Sequence, residues 1–112
     1  MLTDQEMLDV AQKYIEKKAK MTNLPLILYK RVTKRDYGNI YGYTSKDYFE
    51  TKEEKYAIAG NAPFLVEKET GRVVNFGTAF QVEEYIKAYE NNTMSKSLDL
   101  YWYPDEDRFD YK

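Results

Sequence analysis

The sequence contains neither cysteine nor histidine, and these two absences exclude several kinds of chemistry. Without cysteine the chain forms no disulfide and no structural zinc–thiolate site. Without histidine it lacks the side chain whose unperturbed pKa lies nearest neutrality, so Ser-His-Asp, Cys-His and histidine-ligated metal sites are impossible. Carboxylates, lysines, tyrosines and hydroxyls are the groups that remain for catalysis.

Long apolar runs and a basic excess are also missing. No 18 apolar residues follow one another, and residues 1–6 show neither the basic nor the apolar region of a signal peptide. We therefore expect a soluble, cytoplasmic protein with no membrane partner. A formal charge of −2 gives no support to a nucleic-acid partner. The 112 residues show no linker or repeat, so we expect one domain, 1–112, of undetermined oligomeric state.

Two segments have the residue spacing of amphipathic helices. The first starts at a capping box formed by Thr3 and Glu6, and it should end before Pro25. The second follows Thr78, whose distance from Gln81 matches the same capping pattern, so we expect Thr78 to cap it. The apolar stripes are Met7, Val10, Ala11, Tyr14 and Ile15 in the first helix, and Val82, Tyr85, Ile86 and Tyr89 in the second.

The remaining patterns indicate strands. Residues 26–33 and 40–44 flank turn residues and predict one hairpin, and residues 64–68 and 72–76 flank a loop whose third residue is glycine and predict another. Residues 98–103 alternate as a half-exposed strand, and residues 45–54 predict a loop or a single helical turn. The predicted fold is α+β, with an antiparallel sheet of about five strands, two amphipathic helices packed on it, and the order αββ(loop)ββαβ.

The charged and glycine-containing motifs do not predict an active site. Adjacent acidic residues at 53–54, 83–84 and 105–107 point in different directions on a helix or strand. A carboxylate-only magnesium or calcium site stays conceivable, as does a phosphate at the helix that follows Gly77, but no calcium loop or phosphate-binding loop is present. We predict no enzyme: no catalytic residue, no cofactor and no metal.

Tyrosine is unusually frequent, with twelve residues. Those on helical stripes are expected to pack in the core. Others lie in loops or mixed strands beside charged residues, and tyrosine is enriched where proteins bind proteins because it gives a large contact area with little rotamer entropy. With their acidic neighbours they favour a partner that carries basic and aromatic groups. The predicted partner-binding residues are Tyr37, Tyr41, Tyr43, Tyr48, Tyr101, Tyr103, Asp105, Glu106 and Asp107.

Residues 56–86 resemble the YrhB-domain family, also called immunity protein 35. The motifs that carry the resemblance are G-N-x-P at 60–63, K-x-T-G at 68–71, G-T-A at 77–79 and Y-I at 85–86. The resemblance implies a small bacterial α+β domain that is often associated with polymorphic toxin loci and protects its producer by binding a cognate toxin. It implies no catalytic residues. Gly60, Gly71, Gly77 and Pro63 would then belong to the scaffold, and the tyrosine-rich, partly acidic segments would contact the toxin.

Two alternatives stay open beside this toxin-inhibitor interpretation. One is a chaperone-like or small-ligand binding module of the stress response, which would need a sizeable exposed apolar groove. The other is an enzyme that uses tyrosine, lysine or carboxylates alone. The alternation of residues 98–103 also leaves open whether Trp102 packs in the core or anchors a partner.

Overall fold

Helix α1, Asp4–Thr22, begins at the predicted capping box. The computed structural model describes residues 1–51, 62–78, 80–98 and 100–111, but not the side chains of Tyr48 and Phe49. Both capping bonds of α1 are present. The Thr3 hydroxyl accepts from the Glu6 amide at 3.1 Å, and the Thr3 amide donates to the Glu6 carboxylate at 2.9 Å. The helix ends at Asn23, which adopts the left-handed conformation two residues before Pro25.

Within the described residues, the strands form one six-stranded sheet in which every neighbouring pair is antiparallel, in the order β1-β2-β3-β4-β5-β6. Gly71 turns the β3–β4 hairpin with a φ of 76°, a conformation that favours glycine, as the loop pattern predicts. The strands are Leu26–Arg35 (β1), Gly38–Ser45 (β2), Phe64–Glu67 (β3), Val73–Asn75 (β4), Tyr101–Tyr103 (β5) and Arg108–Asp110 (β6). The α+β prediction is confirmed, with six strands where about five were expected.

Two details of the last strands differ from the sequence-based expectation. Residues 98 and 100 lie outside β5, because the chain turns there and the Leu100 amide donates to the Ser97 carbonyl at 3.1 Å. Leu98 is therefore 81% exposed, and Leu100 packs on the face of the sheet opposite to Trp102. The acidic C-terminal segment supplies β6, which pairs with β5 through Trp102 and Phe109.

The described part of the chain contains two further helices, α2, Lys46–Thr51, and α3, Val82–Glu90. Residues 45–54 were expected to form a loop or a single helical turn, and α2 is a short helix within that range; residues 52–54 lie outside the described residues. The expectation that Thr78 caps α3 is wrong, because the N-cap is Gln81, which makes no side-chain capping bond. The chain before α3 is held differently: the Phe80 amide donates to the Tyr85 hydroxyl at 3.3 Å, which satisfies that amide outside the helix.

The sheet lies between α1 and α3, with a hydrophobic cluster on each face. Successive residues of a strand point to opposite faces, so Phe64 and Val66 pack against α1 whereas Leu65 packs towards α3. Trp102 is 1% exposed and packs with Tyr14 of α1 at a ring-centroid distance of 5.2 Å. It is therefore a core residue. The scaffold role predicted for Gly60 falls outside the described residues.

Candidate partner-binding surface

Tyr37, Tyr101 and Tyr103 come together on the α3 face of the sheet, although they are far apart in sequence. Tyr37 precedes β2, and the other two lie in β5 on the face that packs towards α3. All three are partly exposed. Together with Arg72 and Tyr89, which lie between them, they form what we call the tyrosine–arginine surface.

Other predicted tyrosines are placed differently. Tyr41 is 2% exposed and Tyr43 is 5% exposed, and both rings pack against Phe64 in the cluster under α1. They offer almost no area for direct contact with another molecule. Tyr48 lies in α2, and its side chain is outside the described part of the structure.

An ion pair between a buried carboxylate and a partly exposed arginine occupies the centre of the tyrosine–arginine surface. Arg72 donates two hydrogen bonds to Glu67, from Nε to Oε1 at 2.7 Å and from Nη2 to Oε2 at 2.9 Å. Thr70 donates to the same carboxylate at 3.1 Å. The two charged residues face each other because Glu67 ends β3 and Arg72 precedes β4 in the same hairpin. Bidentate pairing of this kind fixes the guanidinium in one orientation.

Two tyrosine hydroxyls donate to carboxylates beside this pair. Tyr89 donates to Glu67 at 2.5 Å, and Tyr37 donates to Glu90 at 2.7 Å. Burial, together with the hydrogen bond and charge of Glu90, raises the pKa of Tyr37 to about 12. Burial and the bond to Glu67 also raise the pKa of Tyr89 well above its usual value. Both hydroxyls therefore stay protonated near neutral pH.

Arg72 also orients the tyrosines of β5. Its guanidinium lies 3.9 Å from the ring centroid of Tyr101, and it hydrogen-bonds Tyr103. Two concavities open beside it, of about 580 and 550 Å³, and Tyr37, Arg72 and Tyr89 line both. The surface is therefore concave, aromatic and held in place by ionic hydrogen bonds.

The acidic turn, residues 104–107, joins β5 to β6, and its three acidic residues are exposed. Asp107 is held by the core: it accepts from Trp102 Nε1 at 3.0 Å and pairs with Lys17 at 2.8 Å. The hydrogen bonds from Lys17 and Trp102 lower the pKa of Asp107 below its usual value. Glu106 pairs with Arg108 at 3.1 Å. Asp107 thus supports the turn as well as contributing charge.

The described residues give no indication of metal chemistry or of a membrane span. Across residues 1–51, 62–78, 80–98 and 100–111, no three acidic side chains are arranged to hold a metal ion. Within the same residues, no helix has the length and apolar character needed to cross a bilayer.

Comparison with known proteins places the chain in a family. The family model for immunity protein 35 matches residues 5–89. The chain belongs to the immunity protein 35 family. This confirms the resemblance carried by the motifs between residues 60 and 86, and it makes the chain an immunity-type protein. Proteins of this family are typically not enzymes.

One curated relative of this immunity protein 35 member is the uncharacterized protein YrhB of Escherichia coli (strain K12). It is 38% identical over 53 residues, which cover 47% of the chain and 56% of the relative. The match thus spans little more than half of the relative's length. No solved structure matches the chain significantly.

The immunity protein 35 match divides the candidate surface into two parts. Tyr37, Arg72 and Tyr89 lie within the matched residues, whereas Tyr101, Tyr103 and the acidic turn lie beyond them. Sequence reasoning found the tyrosines of β5 but missed Glu67, Arg72 and Tyr89. The sequence did contain a signal for this pair. Glu67 lies two residues after the apolar Leu65, so both side chains point to the same covered face of the strand, where a carboxylate needs a partner. Arg72, just after the turn of the same hairpin, is positioned to be that partner.

Proposed function

We propose that this immunity-type protein is a non-enzymatic inhibitor that binds and neutralises a cognate bacterial toxin domain. Membership of the immunity protein 35 family is the observation that carries the proposal. The contact surface would be the tyrosine–arginine surface together with the acidic turn. The residues predicted from sequence fall into three groups. Those that would touch the toxin are Tyr37, Tyr101, Tyr103, Asp105, Glu106 and Asp107. Tyr48 is kept as a proposed contact, and Tyr41 and Tyr43 would support the surface from the core.

The shape and composition of this surface support the proposal. Interfaces concentrate their binding energy in a few aromatic and arginine residues that are held in place before binding. Here Arg72 fixes Tyr101 and Tyr103, and the bond to Glu90 fixes Tyr37. A stable complex of standard size buries about 1,600 Å² in total, or about 800 Å² from each partner, which one face of a 112-residue chain can supply.

Electrostatics would then guide the encounter. Asp105, Glu106 and Asp107 are exposed, so they would attract a basic patch on the toxin before contact. Attraction between exposed charges weakens with ionic strength, because the screening length falls to about 10 Å at 0.1 M salt. The association rate should therefore decrease as salt increases, whereas the dissociation rate should change less.

The test is co-expression with the product of the adjacent gene, which we expect to be the toxin, followed by measurement of binding by surface plasmon resonance. Wild type should restore growth and bind tightly, and Asp105→Asn/Glu106→Gln should associate several-fold more slowly at low salt. Asp9→Asn/Glu16→Gln removes the same number of exposed charges from α1 and serves as the matched control. Failure of the wild type to bind or neutralise the toxin would refute the proposal.

A second candidate function, the chaperone-like or small-ligand module, has one observation in its favour. Phe80 is 69% exposed and lines a concavity of about 570 Å³ beside Tyr85. An apolar segment could rest there. This function predicts that purified wild type suppresses aggregation of an unfolded test protein, and that Phe80→Ser abolishes the effect. Binding to the toxin alone, without such suppression, would count against it.

A further inference from the structure

The larger concavity of the tyrosine–arginine surface has walls and charges suited to a specific kind of side chain. It measures about 580 Å³ and is open to solvent at one side. Its walls include three tyrosines, from the turn between β1 and β2, from α3 and from β5. The residues that line it are Met1, Asp36, Tyr37, Glu67, Glu69, Thr70, Arg72, Tyr89 and Tyr103.

The charges of these lining residues favour a cation. Glu67 is neutralised by the bidentate bond from Arg72, which leaves Asp36 and Glu69 as exposed carboxylates at the rim. Glu90 adds a third carboxylate next to the cavity through its bond to Tyr37. Opposing cations are the Arg35 guanidinium beside Tyr37 and the Met1 amino group, which lies near Glu6. The three carboxylates exceed these two cations by one charge, so the cavity and its rim keep a small acidic excess.

The aromatic walls favour the same class of ligand. The faces of tyrosine rings attract ammonium and guanidinium groups. Two arginines of this chain already use neighbouring rings in this way, since Arg72 lies 3.9 Å from the Tyr101 centroid and Arg108 lies 4.4 Å from that of Tyr103. Tyr37 and Tyr89 pack together at 4.9 Å and give the opposite wall a fixed aromatic surface.

We infer that this cavity receives a basic side chain, lysine or arginine, that projects from the partner protein. The ring faces of Tyr37 and Tyr103 would contact this side chain, and Asp36 and Glu69 would balance its charge. The inference rests on the proposed function for the identity of the partner, but the recognition chemistry is a property of the cavity itself. It places the specificity of the complex at one cationic residue of the toxin.

The cavity is tested without the toxin by NMR titration with a capped Gly-Arg-Gly peptide. Its neutral isostere, capped Gly-citrulline-Gly, is the control ligand. With the arginine peptide and wild type, we expect saturable shifts of the Tyr37, Glu69 and Tyr103 amides. The citrulline peptide should bind wild type at least fivefold more weakly. The arginine peptide should also bind Asp36→Asn/Glu69→Gln at least fivefold more weakly than it binds wild type. Equal shifts with both peptides, or shifts centred elsewhere on the chain, would overturn the inference.

Two variants show whether peptide binding depends on the charges at the cavity or on exposed charges anywhere on the protein. Asp9→Asn/Glu16→Gln should bind the arginine peptide like wild type, and equal loss in this variant would also overturn the inference. Glu69→Gln alone is the second variant. Because Glu69 is exposed, this substitution should not impair folding. A wild type that fails to bind the toxin refutes the proposed function, whereas a toxin complex unaffected by Asp36→Asn/Glu69→Gln refutes only this inference.

Discussion

At the scale of single residues, Trp102 is the largest fully buried side chain of the core. Trp102→Ala should lower the free energy of unfolding by about 3 to 5 kcal/mol, because it removes a ring that packs on Tyr14 and leaves a cavity. Urea unfolding measures the loss. Asp107→Asn keeps the ring but removes the charge that accepts from Trp102 Nε1 and pairs with Lys17, so it should cost much less stability than Trp102→Ala. A loss below about 1 kcal/mol in Trp102→Ala would show that the ring is not core.

The pair formed by Glu67 and Arg72 makes a second residue-scale prediction. Arg72→Met leaves the Glu67 carboxylate, which is 8% exposed, without its cation. Leaving a buried carboxylate without its partner costs about 1 to 3 kcal/mol, because water can reach the position of the partly exposed Arg72 and screen the remaining charge. Glu67→Gln/Arg72→Met removes both charges, so it should be less destabilised than Arg72→Met alone. A double-mutant cycle in urea measures this difference, and simple additivity of the two substitutions would contradict the coupling.

The same pair predicts a dependence of stability on pH. Burial opposes ionisation of Glu67, but the hydrogen bonds from Arg72 and Tyr89 outweigh it and hold the pKa below the ordinary value of 4.5. A carboxyl whose pKa is lower in the folded state stabilises the protein above its unfolded pKa, and this stabilisation is lost as the pH falls through the folded pKa. The stability difference between wild type and Glu67→Gln should therefore shrink in urea titrations below about pH 4.5.

At the scale of elements, the two predicted helix caps allow a direct comparison. Thr3→Ala breaks a capping box in which both bonds are present, so it should cost about 1 kcal/mol. Thr78→Ala changes an exposed residue that does not cap α3, so its unfolding free energy should stay within about 0.5 kcal/mol of wild type. Thermal melts followed by far-UV circular dichroism distinguish the two. Equal losses would place a cap at Thr78 after all.

Sequence patterns correctly predicted those helix ends and turns whose stabilising contacts lie within the pattern itself. The capping box of α1 and the glycine loop between β3 and β4 form within a few residues, so the sequence specifies them without tertiary context. The start of α3 and the pairing of β6 depend on contacts that are also close in sequence but are not part of either pattern: the Tyr85 hydroxyl accepts from the amide of Phe80, and Trp102 is the strand partner of Phe109. Capping spacing and strand alternation do not encode a tyrosine–amide bond or the pairing of two strands.

The candidate surface was predictable only in part for the same reason. Tyrosine content and strand alternation pointed to Tyr101 and Tyr103, but alternation does not say which face of a sheet a helix will cover. Tyr41 and Tyr43 were assigned to a partner from their polar neighbours, and α1 covers them instead. The grouping of Tyr37 with Tyr89 follows from the placement of α3, which depends on the whole sheet.

At the scale of the whole molecule, the sheet is shared by two hydrophobic clusters. Leu65 lies in the cluster on the α3 face, whereas its neighbours in β3 and Trp102 lie in the cluster under α1. Neither cluster can lose its packing without disturbing the strands that carry the other. We therefore expect a single cooperative unfolding transition, as is usual for a chain of this size.

Leu65→Ala tests this coupling, because it creates a cavity on one face while the single tryptophan reports on the other. It should lower the free energy of unfolding by about 2 to 5 kcal/mol and move the tryptophan-fluorescence and circular-dichroism transitions together to lower urea. Leu98→Ala is the matched control, since Leu98 is 81% exposed and its truncation should shift neither transition. If the fluorescence transition kept its wild-type midpoint while the circular-dichroism transition moved, the two faces would be unfolding separately, and α3 with its tyrosine contacts could detach without opening the core under α1.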